Sequence, residues 1–192
     1  MAAAGGGQST FDVNAFASKM LKGGALASLF QCTISAGGKS SSGNLNQFQF
    51  MCKGVSFPAS TIEAATVTYM GRALQIPGNR AAAQLTTSIY NDEDMEIRNY
   101  IEGWMEKINS HRGNHRDPGF LKMMGTSTYT GEMTVSQLKK DGTGTSKDYQ
   151  FHNVWPSTCP EIAMSWDTNE IQTYDVIWEY NYWESSQSGT GV

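Results

Sequence analysis

Charge is scarce in this chain. Only 17% of its 192 residues are charged, against roughly 25% in an average soluble domain. The net charge of −4 leaves no basic excess, which argues against a protein that holds nucleic acid by its phosphates. Cysteine is nearly missing as well. Cys32, Cys52 and Cys159 are odd in number and far apart, so a disulfide framework is not expected, and a reducing compartment suits them. As free thiols they behave as small hydrophobes, with Cys32 on the strand parity of Phe30 and Ile34 and Cys52 on that of Phe48 and Phe50. No apolar run approaches the ~18 residues of a membrane span. The first ten residues lack the basic and apolar regions of a secretory signal, so the expectation is a soluble, unexported subunit with no membrane binding.

What the chain does have is glycine (20 residues), aromatics (11%) and hydrophobic alternation. Residues 1–24 read as a flexible extension, with a short amphipathic piece carried by Phe11, Val13, Phe16, Met20 and Leu21. Period two then takes over. Strands are expected at Leu26–Ile34, Leu45–Phe57 (Phe48, Phe50 and Cys52 on one face), Ile62–Ile76, Gln84–Tyr90, Tyr129–Leu138, Lys147–Trp155, Ile162–Trp166 and Ile171–Trp183. Pro77-Gly78-Asn79 and Asp141-Gly142-Thr143-Gly144 read as turns. One helix interrupts the strands. Asn91 is its expected cap, Asp92, Glu93 and Asp94 suit its first turn, and Ile97, Tyr100, Ile101, Trp104 and Ile108 form one stripe. The fold class is mainly β: an antiparallel sandwich or partly closed barrel of about seven strands with one flanking helix. The domain is expected over 25–184, with a flexible tail from 185 to 192.

Motifs for chemistry are thin. Gly38-Lys39-Ser40 resembles the end of a phosphate loop, but Thr33 stands where that loop needs glycine, and no helix pattern follows. His111 and His115 have helical metal-ligand spacing, yet Gly113 and Pro118 interrupt any helix and His152 lies in another strand. The basic cluster from His111 to Arg116 reads as a solvated loop. Asp92, Glu93 and Asp94 are explained by a helix start. No nucleophile elbow, dinucleotide fingerprint or Cys-x-x-Cys pair is present, so neither an enzyme nor a cofactor is expected. Trp155, Trp166, Trp178 and Trp183, with Tyr174, Tyr180 and Tyr182, suit core or subunit packing. They also leave open a carbohydrate-binding sandwich.

Several segments, in order, resemble the tail tube protein family of T-even-type contractile bacteriophages. They are Leu29-Phe30-Gln31-Cys32-Thr33-Ile34, Phe50-Met51-Cys52-Lys53 with Phe57-Pro58-Ala59, and Tyr69-Met70-Gly71-Arg72 leading to Pro77-Gly78-Asn79-Arg80. Asn91-Asp92-Glu93 and Trp104 follow. The most specific are Trp155-Pro156, the run from Trp166 to Tyr174, and Tyr182-Trp183-Glu184. The sequence departs from the pattern at Ala25-Leu26-Ala27-Ser28 and in long 36–46 and 110–128 loops. The resemblance implies a sandwich or barrel-like subunit with one helix, similar to the tube protein of type VI secretion. It implies six-membered rings stacked head-to-tail inside a contractile sheath, forming the channel for DNA ejection. The implied partners are the chain itself, the tail sheath, baseplate and tail-terminator proteins, with tape-measure protein and DNA in the lumen without specific binding. The tube of a phage-derived injection system and a baseplate tube-initiation protein are the alternatives.

Such stacking needs a heterologous interface carried by a protruding segment. The extended arm over 62–80 is the candidate, with Glu63, Tyr69, Met70, Arg72 and Arg80 as contact residues. A channel that repels phosphate keeps DNA mobile, and Glu132, Asp175 and Glu179, on polar strand faces, are the candidates to line it.

Overall fold

The computed structural model describes residues 13–20, 23–35, 45–81, 83–120, 129–167 and 169–186. Among these, nine strands form: β1 Phe30–Ser35, β2 Cys52–Val55, β3 Thr61–Tyr69, β4 Arg72–Ala81, β5 Leu85–Tyr90, β6 Gly131–Leu138, β7 Thr145–Thr158, β8 Thr173–Glu179 and β9 Tyr182–Ser185. Three helices accompany them: α1 Val13–Lys19, α2 Phe48–Met51 and α3 Glu96–Ile108. Every pairing is antiparallel. The order runs β1-β6-β7-β8-β5-β2 with β9 added on β7, while β3 and β4 pair only with each other. The result is a mainly β sandwich without a closed barrel.

Strand β7 belongs to both layers. Its first half pairs with β6 and β9, and its end pairs with β8. The change of layer occurs at Asn153, whose φ of 57° is left-handed. Gly131 faces Val154 and Glu132 faces His152, so Asn153 is an extra residue in the ladder, a bulge that bends the strand. Inward positions consequently pass from Phe151 to Val154 and Pro156. Trp155 is therefore carried off the face it was expected to share with Phe151.

Between the layers lie Cys32, Met133, Val135 and Phe151 from one side and Leu85, Ile89, Val176 and Trp178 from the other. Helix α3 closes this core with the expected stripe: Ile97, Tyr100, Ile101 and Trp104 are all buried. Each such side chain contributes roughly 1.5–3 kcal/mol by leaving water. The Trp104 ring centroid lies 5.9 Å from that of Trp178. Its indole N–H donates to the Tyr129 carbonyl at 2.6 Å.

Local chemistry overrode period two in several places. Residues 45–57 are not one strand: Leu45–Gln47 forms a 3₁₀ turn that runs into α2, and only then does β2 begin. That helical turn buries Phe48 edge-on to Trp178 at 6.3 Å and leaves Phe50 77% exposed. The first strand starts at Phe30, four residues later than expected. Helix α3 is capped not by Asn91 but by Met95, with φ 52°. The acids form the preceding turn, from which Asp92 accepts the Glu96 N–H at 3.2 Å. Residues 162–166 form no strand. The long C-terminal strand breaks after Glu179, where the Asn181 N–H donates to the His152 carbonyl at 3.1 Å and starts β9 on the other layer. Tyr174, Val176, Trp178 and Tyr180 are buried as alternation requires, but Tyr182 is exposed. Ser185, the first residue of the expected tail, ends β9 and is buried. The phosphate-loop-like Gly38-Lys39-Ser40, most of the 36–46 loop, residues 121–128 and the ends 1–12 and 187–192 lie outside the described residues.

Candidate assembly surfaces

The arm expected over 62–80 is a hairpin, and its turn is not where the prolines and glycines suggested. The chain reverses at Met70-Gly71, whose φ angles of 49° and 77° suit the tight two-residue turn that matches strand twist. Pro77-Gly78-Asn79 instead forms a bulge inside β4, where the register shifts opposite Glu63. Gly78 is required there because a Cβ would come within 2.8 Å of the Glu63 carbonyl oxygen.

Every residue of the hairpin except Ala81 is exposed. Its two faces differ. Ala65 opposite Ile76, Val67 opposite Leu74 and Tyr69 opposite Arg72 make an apolar face that ends in a guanidinium. On the reverse face Thr66 donates to the Gln75 side-chain carbonyl at 2.8 Å. A two-stranded ribbon without a third strand or a helix on it is only marginally stable. On this ribbon Val67, Leu74 and Ile76 leave the apolar face open to solvent. Glu63, Tyr69, Met70, Arg72 and Arg80 thus lie on one protruding element, with Tyr69, Met70 and Arg72 at its tip and Glu63 and Arg80 toward its base. The apolar face carried by Val67, Leu74 and Ile76 was missed, though its alternation with Thr66, Thr68 and Gln75 was visible in the sequence.

The acidic candidates are not brought together as a trio. Asp175 and Glu179 stand on the outer face of β8, where Asp175 accepts from the Ser88 hydroxyl and Glu179 from the Gln84 amide at 2.6 Å. Glu132 stands on the other layer. There His152 stacks on Tyr182, with its Nδ1 3.6 Å from Glu132 and its Nε2 4.0 Å from Glu184.

Two further surfaces, both partly named from the sequence, are bare in the structure. The amphipathic stripe of α1 is uncovered, with Val13 and Phe16 exposed. Between β7 and β8, Met164, Trp166 and Ile171 project into solvent. The thiols of Cys32 and Cys52 are buried side by side. A thiol–thiol hydrogen bond, aided by burial, pushes the Cys32 pKa up, and the same bond holds Cys52 down. His111 lies 3.7 Å from Glu106 on an exposed loop.

A sequence model of the phage tail tube protein family matches residues 8–186. The chain belongs to the phage tail tube protein family. Relatives in it include tail tube protein gp19 of Enterobacteria phage T4 and of Enterobacteria phage T6. Each is 30% identical over 157 residues, covering 81% of this chain and 88% of the relative. Among solved structures the fold is similar to a chain of the sheath–tube complex of an extracellular contractile injection system, PVC, in its extended state. That match has a TM-score of 0.60 at 11% identity, over 88% of this chain and 95% of the other. The tube-terminating cap of the anti-feeding prophage matches with a TM-score of 0.58 at 15% identity, over 84% and 90% of the two chains.

Proposed function

We propose that this protein is the structural subunit of the inner tube of a contractile phage tail, stacking head-to-tail as six-membered rings inside the sheath to form the channel for DNA ejection. The observation that carries this reading is the β3–β4 hairpin, a long ribbon that no other described part of its own chain covers. Heterologous contacts that do not close along an axis make filaments, and a protruding arm on every subunit supplies such a contact. Its partners are then further copies of itself, the sheath around the tube, the baseplate at one end and the terminator at the other. Tape-measure protein and DNA pass through the lumen without specific binding. The protein works in the virion tail after assembly in the host cytoplasm, as a scaffold and not as an enzyme.

An acidic lumen takes a narrower form than three scattered carboxylates. Asp175 and Glu179 share one face of β8 and have no ion-pair partner among the described residues, whereas Glu132 faces His152. Unneutralised carboxylates repel phosphate, so the β2–β5–β8 layer is assigned to the channel. A density map of the assembled tube with Asp175 and Glu179 on the sheath side sinks that assignment alone. The function itself is tested by electron microscopy of the purified protein with a baseplate seed. Extension of the seed into a tube of stacked rings is expected, and failure to extend a competent seed overturns the reading.

A further inference from the structure

The segment between β7 and β8 is an unusual loop: its ends are fastened and its middle is bare. At one end the Pro160 carbonyl accepts from the Arg98 guanidinium at 3.1 Å, and Ile162 packs against the core. At the other, the Gln172 carbonyl accepts the Asn91 N–H at 2.9 Å while the two side-chain amides bond at 2.9 Å. Between these anchors Met164 is 80% exposed, Ile171 72%, and Trp166 has nothing over it. A tryptophan held out on a fastened loop gives a large contact area at low entropic cost.

Charge distinguishes this loop from the arm. Residues 159–172 hold Glu161, Asp167 and Glu170 and no basic residue, whereas 61–81 holds Arg72, Arg80 and one acid, Glu63. Among the described residues none of these five complementary charges (Glu161, Asp167 and Glu170; Arg72 and Arg80) makes an ion pair within its own chain. Two apolar surfaces of matching kind and opposite sign, both uncovered in one copy, complement each other across two copies.

We propose that the apolar face of the arm of one subunit seats on the 161–171 loop of a neighbouring subunit, with Val67, Leu74 and Ile76 against Met164, Trp166 and Ile171. Arg72, which ends that face, lies against the carboxylates of the loop, while Arg80, paired with Ile62 on the reverse face, adds to the positive field of the arm. This rests on the tube reading and names the surface that receives the arm. Arm-on-arm pairing is disfavoured because it brings like charges together at the tips and gives a closed dimer, not a filament.

The test is seeded tube growth followed by sedimentation and electron microscopy. Trp166→Ala removes only a side chain that packs on nothing in the monomer. It leaves the thermal midpoint unchanged and slows growth by at least about tenfold, as loss of an interface anchor does. The double reversal Arg72→Glu with Arg80→Glu blocks growth, as does the triple reversal Glu161→Lys, Asp167→Lys, Glu170→Lys. The two sets combined restore it. Wild-type growth of Trp166→Ala, or combined reversals that grow no better than either set alone, overturns the docking while wild-type tubes still form. A wild-type protein that never extends the seed overturns the tube reading instead. Closed dimers of the wild type, lost on reversal of the arginines alone, overturn the docking in favour of arm-on-arm pairing.

Discussion

Thr87 and Trp178 make a bond whose worth can be worked out in advance. The Trp178 indole N–H donates to the Thr87 hydroxyl at 2.8 Å, and both residues are fully buried. Replacing Thr87 by Val keeps the shape but strands the indole N–H away from water. An orphaned buried donor costs about 1–3 kcal/mol. In a domain of this size that lowers the thermal midpoint by roughly 2–4 °C per kcal/mol. Trp178→Phe strands the hydroxyl instead and also removes three ring atoms from the contacts with Phe48 and Trp104. At ~0.8 kcal/mol per buried carbon this adds about 2 kcal/mol, more if a cavity remains. The double variant loses the bond only once, so its cost falls short of the sum of the singles by about 1 kcal/mol or more. Urea titrations of the unassembled protein, followed by circular dichroism, measure all three. Strict additivity, or a Thr87→Val variant as stable as wild type, refutes the bond as a stabilising element.

At the β7 bulge, Asn153→Gly is expected to be near neutral. Asn153→Val is expected to cost about 1–2 kcal/mol, because a β-branched residue resists a left-handed backbone; equal urea midpoints for the two variants contradict the bulge. Tyr174 gives a pH dependence. Its hydroxyl is buried without a hydrogen-bond partner among the described residues, and burial, aided by the nearby Cys159, holds its pKa above the ordinary value. Because the folded pKa is raised, the stability it confers is complete below the unfolded value near 10 and is lost as pH rises beyond it. Tyr174→Phe is therefore expected to match or slightly exceed wild type at neutral pH and to outlast it at alkaline pH. Unfolding curves at the two pH values check this, and equal alkaline losses contradict it.

The parts of the fold legible in the sequence are those where one residue pattern maps to one geometry. The stripe from Ile97 to Trp104 could only be a helix face, and Leu85, Thr87 and Ile89 alternate inward as read. Illegible were the places where one residue changes the phase. Asn153 shifts the parity of β7, and nothing before it in the strand announces the shift. The run from Phe48 to Cys52 fits alternation as well as one helical turn, and burial against Trp178 decided between them. At the arm, Pro77-Gly78-Asn79 carries stronger turn chemistry than Met70-Gly71, but the pairing of Ala65 with Ile76 places the reversal at the latter. The exposed arm was legible because its extended run was long. The loop around Trp166 was not, since a stretch read as a strand hides which side chains stay bare.

The sharing of β7 between the two layers has a mechanical meaning. Sandwiches whose layers are joined only by loops can slide or open when pulled, because side-chain packing alone resists. Here one continuous strand of 14 residues crosses from layer to layer. A pull along β7 loads its hydrogen bonds to β6, β9 and β8 in shear, many at once instead of one after another. A subunit braced in this way transmits thrust from one layer to the other as a single stiff body.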